Sequence, residues 1–465
     1  MEVYLDAAAT SRKKPEEVYI AMDRFMREVG VSPGRSVHSP GITAGQIVDT
    51  AREKLAQLLG VTDSSHIVFT LNCTEALNLA IKGTLKQGDH VVTSSVEHNS
   101  VMRPLSAMEQ ERGITVSRAK ADSTGVTEVD DLVKCIRPHT KLIVITHASN
   151  VTGAIQPIGA IGQIARDRGI TFVVDAAQTV GSVPIDLGAL PVDLMAFSGH
   201  KSLLGPQGVG GLYIRKGIDL VPLKHGGTGS ASSEEIQPDQ LPDKYESGTP
   251  NTPGIAGLSA AIDFIASVTI RKIRAQICQT GKAFLENLQS MDDITLYGPH
   301  TMEHNVGIFS FTVKNRDIAE VADDLDRHSG IMMRVGLHCS PSAHKVIGTF
   351  PQGTIRASIG YYSTEKEAKY LVRSLRDTCA IYDERCIIVF PSTYFALRAE
   401  RAAQEAGIPS RMIPVPRRIS PDCNMGMEAS IHQGNRLKMV LETEDIEFNL
   451  VIPSGTPPQK NKNNC

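Results

Sequence analysis

Residues 171–201 read TFVVDAAQTVGSVPIDLGALPVDLMAFSGHK, and two runs inside this stretch, TFVVD and DLMAFS, decide the fold. Each is short, rich in apolar residues that suit a strand, and ends on a polar residue followed by a small-residue turn. Working outward, the same signature recurs as HIVFT at 66–70, HVVTS at 90–94, ITVSR at 114–118, KLIVIT at 141–146 and VGGLYI at 209–214. Amphipathic or Gly-rich segments separate these runs, so seven strands alternate with helices. This is the pattern of an α/β fold built on a mostly parallel seven-stranded sheet. Ligands in such sheets sit at the carboxyl ends of the strands, which makes the polar residues just after each run the first candidates for chemistry.

The rest of the chain sets bounds. With 465 residues it can bury a large core and divide into two or three domains. Apolar residues make up 41% and charged residues 21%, ordinary values for a soluble globular protein. A formal charge of −3 argues against nucleic acid as a partner. The start, MEVYLDAAAT, lacks the basic and apolar regions of a secretory signal, and no apolar run of about 18 residues occurs, so no membrane association is expected. Eight cysteines are scattered without metal-ligand spacing; reduced thiols in the cytoplasm and no metal are the expectation.

The polar, turn-rich segment before residue 254 and the long helical pattern after it place a domain boundary near 255. The expected organisation is an N-terminal segment (1–15) that packs with a small domain, a large domain (16–254) and a smaller α+β domain (255–383). A further small α/β unit (384–453) and a disordered polar tail (454–465) complete it. In the last unit CIIVF and RMIPV read as strands, flanking a helix that Ser392 caps and that runs to Gly407.

Lys201 follows a strand among small residues. A lysine that is partly desolvated there would have a lowered pKa and could form a Schiff base with an aldehyde, although an isolated lysine is usually on the surface. Asp175 ends the TFVVD strand and could pair with a protonated pyridine nitrogen, holding the ring as an electron sink; it could instead cap a helix. Cys73 and Thr74 would open a helix whose free N–H groups suit a phosphate. His98 could lie against a heteroaromatic ring or simply start a helix.

In order and spacing, YLDAAATS, TEALNLA, EHNS, SNVTG, VDAAQ, SGHK, ESGTPNT, RVGLHCSP and RASIGYYST resemble the class V aminotransferase group of fold-type I pyridoxal-phosphate enzymes. Within that group the resemblance is to cysteine desulfurases and selenocysteine lyases, over about residues 2 to 380. It implies that Lys201 carries pyridoxal 5'-phosphate, Asp175 pairs with its pyridine nitrogen and His98 stacks on the ring. Asn150 and Gln178 would contact the ring hydroxyl region, and Cys73, Thr74, Ser198 and His200 would complete the pocket around the phosphate. Thr249 would reach the partner's phosphate, implying a homodimer. Arg356 would bind the substrate carboxylate by paired hydrogen bonds, with Asn150, Arg35 and His38 on the substrate side. Cys339 would take sulfur from the substrate as a thiolate. The chain departs from the commonest pattern at Ser340, where alanine follows the catalytic cysteine, at Ala7 in place of asparagine, and at Gly34 in place of histidine.

The last unit resembles small proteins regarded as sulfur or selenium carriers, and Cys423 lies where those proteins place a cysteine. A persulfide on Cys339 would then be relayed to Cys423, since fusion raises the effective concentration of the acceptor. Cys465 is a weaker acceptor candidate. The expected function is desulfuration of L-cysteine to L-alanine, with onward transfer to an acceptor protein. Selenocysteine lysis, an aminotransferase or other lyase reaction, and a non-catalytic carrier scaffold are the alternatives.

Overall fold

The computed structural model describes residues 2–34, 38–230, 233–383, 385–415, 425–448 and 450–453. After β1 (Val3–Tyr4), α1 (Glu16–Arg24) and α2 (Ser39–Leu59), the chain alternates strands and helices: β2 (Ile67–Thr70), α3 (Cys73–Thr84), β3 (His90–Ser94), α4 (Asn99–Arg112), β4 (Thr115–Ala119), α5 (Val129–Cys135), β5 (Thr140–Thr146), α6 (Ile158–Asp167), β6 (Thr171–Asp175), β7 (Leu194–Ser198) and β8 (Gly210–Ile214). The seven strands β2 to β8 form one sheet in the order β2-β8-β7-β6-β5-β3-β4. Only β8 runs against the others, pairing antiparallel with β2 and β7. Phe172, Val173, Val174 and the apolar residues of β7 are fully buried, because helices cover both faces of the sheet; that is why these strands read as apolar runs and not as alternating ones.

Register aligns the chemistry. Asp175 lies opposite Thr146 on β5 and Ala196 on β7, so the polar ends of three central strands share one edge of the sheet. The turn into α3 reaches that edge by lying directly against β8, where a Cβ on Gly210 would stand 2.6 Å from the Asn72 backbone. Only glycine permits that approach.

Downstream come α7 (Thr252–Val268), α8 (Ile270–Gln289), β9 (Ile294–Tyr297), β10 (Ile308–Val313), α9 (Ile318–Ser329), β11 (Ile331–Met332), β12 (Arg334–Gly336), α10 (Pro341–Val346), β13 (Thr354–Ser358) and α11 (Glu365–Asp383). A four-stranded antiparallel sheet, β12-β13-β10-β9, carries the smaller domain. The α7 helix packs on α1 and α2, whereas α8, after the break at Thr269, packs on α11. Among the described residues no single helix is long and apolar enough to cross a membrane; α7 and α8 together pass by length but bend by 78° and bury apolar residues in the core. The run IMMRV splits into β11, which pairs with β1, and β12, which joins the four-stranded sheet. Through β1 the N-terminal segment is thus sewn onto the smaller domain.

The last unit comprises β14 (Arg385–Val389), α12 (Thr393–Glu405), β15 (Arg411–Pro414), β16 (Met425–Ser430), α13 (Ile431–Thr443) and β17 (Leu450–Pro453). Its antiparallel sheet, β15-β16-β14-β17, and its two helices enclose a separate core around Ile388, Phe390, Met427 and Leu441. Ser392 stands at the N-cap position of α12 but its side chain makes no cap bond. Arg411 links the unit to the body, bonding Glu428 at 2.8 Å and lying 3.7 Å from Asp324 on α9.

Candidate active site

A cavity opens at the carboxyl ends of the central strands. Cys73, Thr74, His98, Asn150, Asp175, Gln178, Ser198, His200 and Lys201 all line it. Lys201 enters from the turn after β7. Burial is the main influence on its amine and lowers its pKa, opposed by the charge of Asp175; no carboxylate among the described residues forms an ion pair with it. A lysine so placed is closer to the neutral amine that carbonyl condensation needs.

Asp175 accepts from the Cys73 thiol at 3.4 Å and from the Ala177 N–H at 3.0 Å, both at Oδ1. Its other oxygen is left for a cationic ligand. At the start of α3, Asn72 caps the Glu75 N–H and its carbonyl takes the Ala76 N–H, leaving the N–H groups of Cys73 and Thr74 without a protein partner among the described residues. The Thr74 hydroxyl stands 2.9 Å from that of Ser100. This cluster of free donors beside a helix N-terminus suits a phosphate.

His98 starts a helix and also faces the cavity. It caps α4, with Nδ1 accepting the Ser100 N–H at 3.0 Å, and its ring lines the cavity. Burial lowers its pKa, and since a backbone N–H can only donate, the neutral ring carries its proton on Nε2. His200 is pushed down to about 4, first by burial and then by the charges of Lys201 and Lys14, while its Nδ1 lies 3.0 Å from the Thr10 hydroxyl.

Glu97, beside His98, was not singled out from the sequence although it belongs to the quoted EHNS motif. Its carboxyl is fully buried, accepts from the Ser94 hydroxyl at 2.6 Å and the Thr146 N–H at 3.0 Å, and is pushed up to about 8 by burial. It ties the ends of β3 and β5 together beneath the cavity.

Cys339 is exposed, on the loop between β12 and α10. His338 and Cys339 both adopt left-handed backbone, at φ 48° and 59°, a conformation that costs a non-glycine residue roughly 1–2 kcal/mol. Compensating bonds hold the loop: Asn99 N–H donates to the Cys339 carbonyl at 2.8 Å, the Asn150 amide donates to the His338 carbonyl at 2.6 Å, and the Ser340 hydroxyl donates to Asn150 Oδ1 at 2.7 Å. His338 itself is kept neutral, its pKa pushed to about 2 by burial and then by Arg356. Positive charge near the thiol therefore comes from arginines.

Arg356 is only 3% exposed. Its guanidinium donates to the Asn150 carbonyl at 3.0 Å and pairs with Asp6 at 2.7 Å, while its Nε–H is buried without a partner among the described residues. Asp6 also pairs with Arg334 at 3.0 Å. That hydrogen bond is the first cause, and the charge of Cys339 a lesser one, of the raised pKa of Arg334. Asp6 is the second residue that the sequence reading passed over: it stands in the quoted YLDAAATS, and the signal was a carboxylate needed wherever a buried arginine is placed.

Other expected residues lie elsewhere. Thr249 borders a different cleft, with Phe69, Leu71 and Tyr245. His38 does not line the cavity; it caps α2, accepting from the Gly41 N–H at 3.1 Å. Arg35, Cys423 and Cys465 lie outside the described residues. Among those described, no group of His, Cys, Asp or Glu is arranged to hold a metal ion.

The donor set fits pyridoxal phosphate: a desolvated lysine, a carboxylate with a spare oxygen, a neutral ring beside them and free N–H groups at a helix start. Comparisons with known proteins agree. Residues 3–371 match the family "Aminotransferase class-V" and residues 385–453 match the Se/S carrier protein-like family. The chain is 35% identical over 385 residues to cysteine desulfurase IscS of Dictyoglomus turgidum, covering 79% of this chain and 92% of that one. It resembles the solved structure of a cysteine desulfurase from Thermococcus onnurineus with a TM-score of 0.77 at 33% identity, covering 81% of this chain and 94% of the other. For the cysteine desulfurase CsdA of Escherichia coli the TM-score is 0.74 at 28% identity, over 82% and 95% of the two chains. A cavity that can bind a phosphorylated pyridine aldehyde and a match spanning most of the chain lead to one conclusion: this chain belongs to the class V aminotransferase family of pyridoxal-phosphate enzymes.

Proposed function

We propose that this chain is a cysteine desulfurase that removes sulfur from L-cysteine, leaves L-alanine and holds the sulfur as a persulfide on Cys339. The observation that carries the reading is the placement of an exposed cysteine on a loop bonded to Asn150, a residue of the Lys201 cavity. Its relatives bear the same activity in their names.

Pyridoxal phosphate, when bound, supplies an electron sink for charge that develops at the substrate α-carbon. Lys201, Asp175 and His98 would hold its ring and the Cys73–Thr74 turn its phosphate. The Lys201 amine, kept from full protonation by burial, takes the α-proton and returns it. Arg356, with one buried N–H unspent, holds the substrate carboxylate. The Cys339 thiolate then bonds to the substrate sulfur while the carbon–sulfur bond breaks. The bonding electrons stay with the carbon, which is protonated to the methyl group of alanine.

Two finer readings extend this. Thr249 stands outside the cavity of its own chain, which supports a homodimer in which it serves the partner's phosphate. The carrier-like match at residues 385–453 supports relay of sulfur from Cys339 to Cys423, and equally favours selenocysteine as a second substrate. The test is turnover of cysteine and selenocysteine followed by peptide mass spectrometry. Alanine together with added sulfur on Cys339, and then on Cys423, is expected. A 2-oxo acid formed without persulfide would assign an aminotransferase instead.

A further inference from the structure

Asn150 belongs to the Lys201 cavity and also grips the Cys339 loop. Its amide offers two donors and two acceptor lone pairs. The His338 carbonyl can only accept, so the 2.6 Å bond fixes which end of the amide is nitrogen. The other end is fixed by the Ser340 hydroxyl, which donates to Oδ1 at 2.7 Å. Ser340 is completely buried and Asn150 is 9% exposed, so water does not readily replace either bond. One N–H and one lone pair of the amide remain for a ligand. Alanine, the commonest residue at this position in the group the sequence resembles, would leave Oδ1 without this donor and the amide held by the His338 carbonyl alone.

We propose that Ser340 is a positioning residue that acts through Asn150: its hydroxyl locks the amide, presenting the spare N–H to the cofactor and holding His338 and Cys339 in their left-handed turn. The lock joins the carbon chemistry at Lys201 to the sulfur handover at Cys339. It rests on the cofactor assignment above but makes a demand of its own. Because the same amide serves both sides, tightening one side tightens the other, and by linkage the two effects are reciprocal.

The experiment compares wild type, Ser340→Ala, Asn150→Ala and the double variant. In cofactor-free protein, amide hydrogen exchange over residues 337–341 and the rate at which iodoacetamide modifies Cys339 are followed by peptide mass. The affinity for pyridoxal phosphate is then measured by titration of its visible absorption. Losing one such hydrogen bond should speed loop exchange by roughly five-fold and weaken cofactor binding by a similar factor. Adding Ser340→Ala to Asn150→Ala should change neither, since the route is already cut. Unchanged exchange in Ser340→Ala would overturn the proposal. So would faster exchange with unchanged cofactor affinity, or full additivity in the double variant. Failure of wild type to bind pyridoxal phosphate would strike the cofactor assignment instead, leaving the exchange arm to judge the lock.

Discussion

The Lys201 cavity and the Cys339 loop serve one reaction with opposite construction. Lys201 stands in the turn at the end of a central strand of a seven-stranded sheet, and its amine is tuned by burial. Cys339 projects into solvent on a loop whose left-handed backbone is held by side-chain and main-chain bonds to Asn99 and Asn150. Proton transfer at carbon depends on a constant dielectric and fixed distances, which a sheet provides. Sulfur must be handed outward, which needs a side chain that can meet an acceptor. Asn150 and Arg356 are where the two constructions touch.

If that division is right, the strongest disruption separates the two halves cleanly. Lys201→Ala should abolish the visible cofactor band and lower turnover by about a thousand-fold or more, while the iodoacetamide reactivity of Cys339 stays as in wild type. Cys339→Ser should do the reverse, keeping the band and losing persulfide in the peptide mass spectrum. Loss of the band in Cys339→Ser would break the comparison. The junction is tested by Asp6→Asn, which leaves the buried Arg356 without its carboxylate; a loss of stability of about 3 kcal/mol is expected in urea unfolding, with a raised KM for cysteine.

The smallest effect is a pH dependence that belongs to the cavity side. His147, beneath the strand ends, is buried and held at about 4 against 6.5. The unfolded chain binds this proton first as pH falls, so the stability from this group is complete at neutral pH and is lost on acidification from about 6.5 down to 4. About 2 kcal/mol should go between pH 7 and pH 5, measured as a fall in the urea midpoint. His147→Gln should flatten that share of the profile and leave the alkylation of Cys339 untouched.

The seven strands were legible because each is an apolar run stopped by a turn, and a buried parallel strand has no other way to be written. Lys201, Asp175, Thr74 and His98 drew notice because each stands at or shortly after the end of such a run. Glu97 and Asp6 were harder to see. Each lay inside a motif already quoted, but a carboxylate declares its task only when the donors around it are known. His38, expected on the substrate side from the resemblance of its loop, is seen here as the cap of α2, a contact that residue type alone does not announce. The last unit was half legible, since β16 mixes small and polar residues, and a paired neighbour decides that it is a strand.

What the sequence determined by itself is the layer architecture and the sheet edge that carries the polar strand ends, since these follow from local pattern, while the lysine and aspartate stood out by their place at strand ends and the cysteine by the resemblance of its motif. Only the tertiary structure decided that Asn150 holds the Cys339 loop and that Arg356 is paired with Asp6. Those partners lie 188 and 350 positions apart along the chain. Contacts of such separation depend on how layers stack and how a loop closes, which local pattern does not encode.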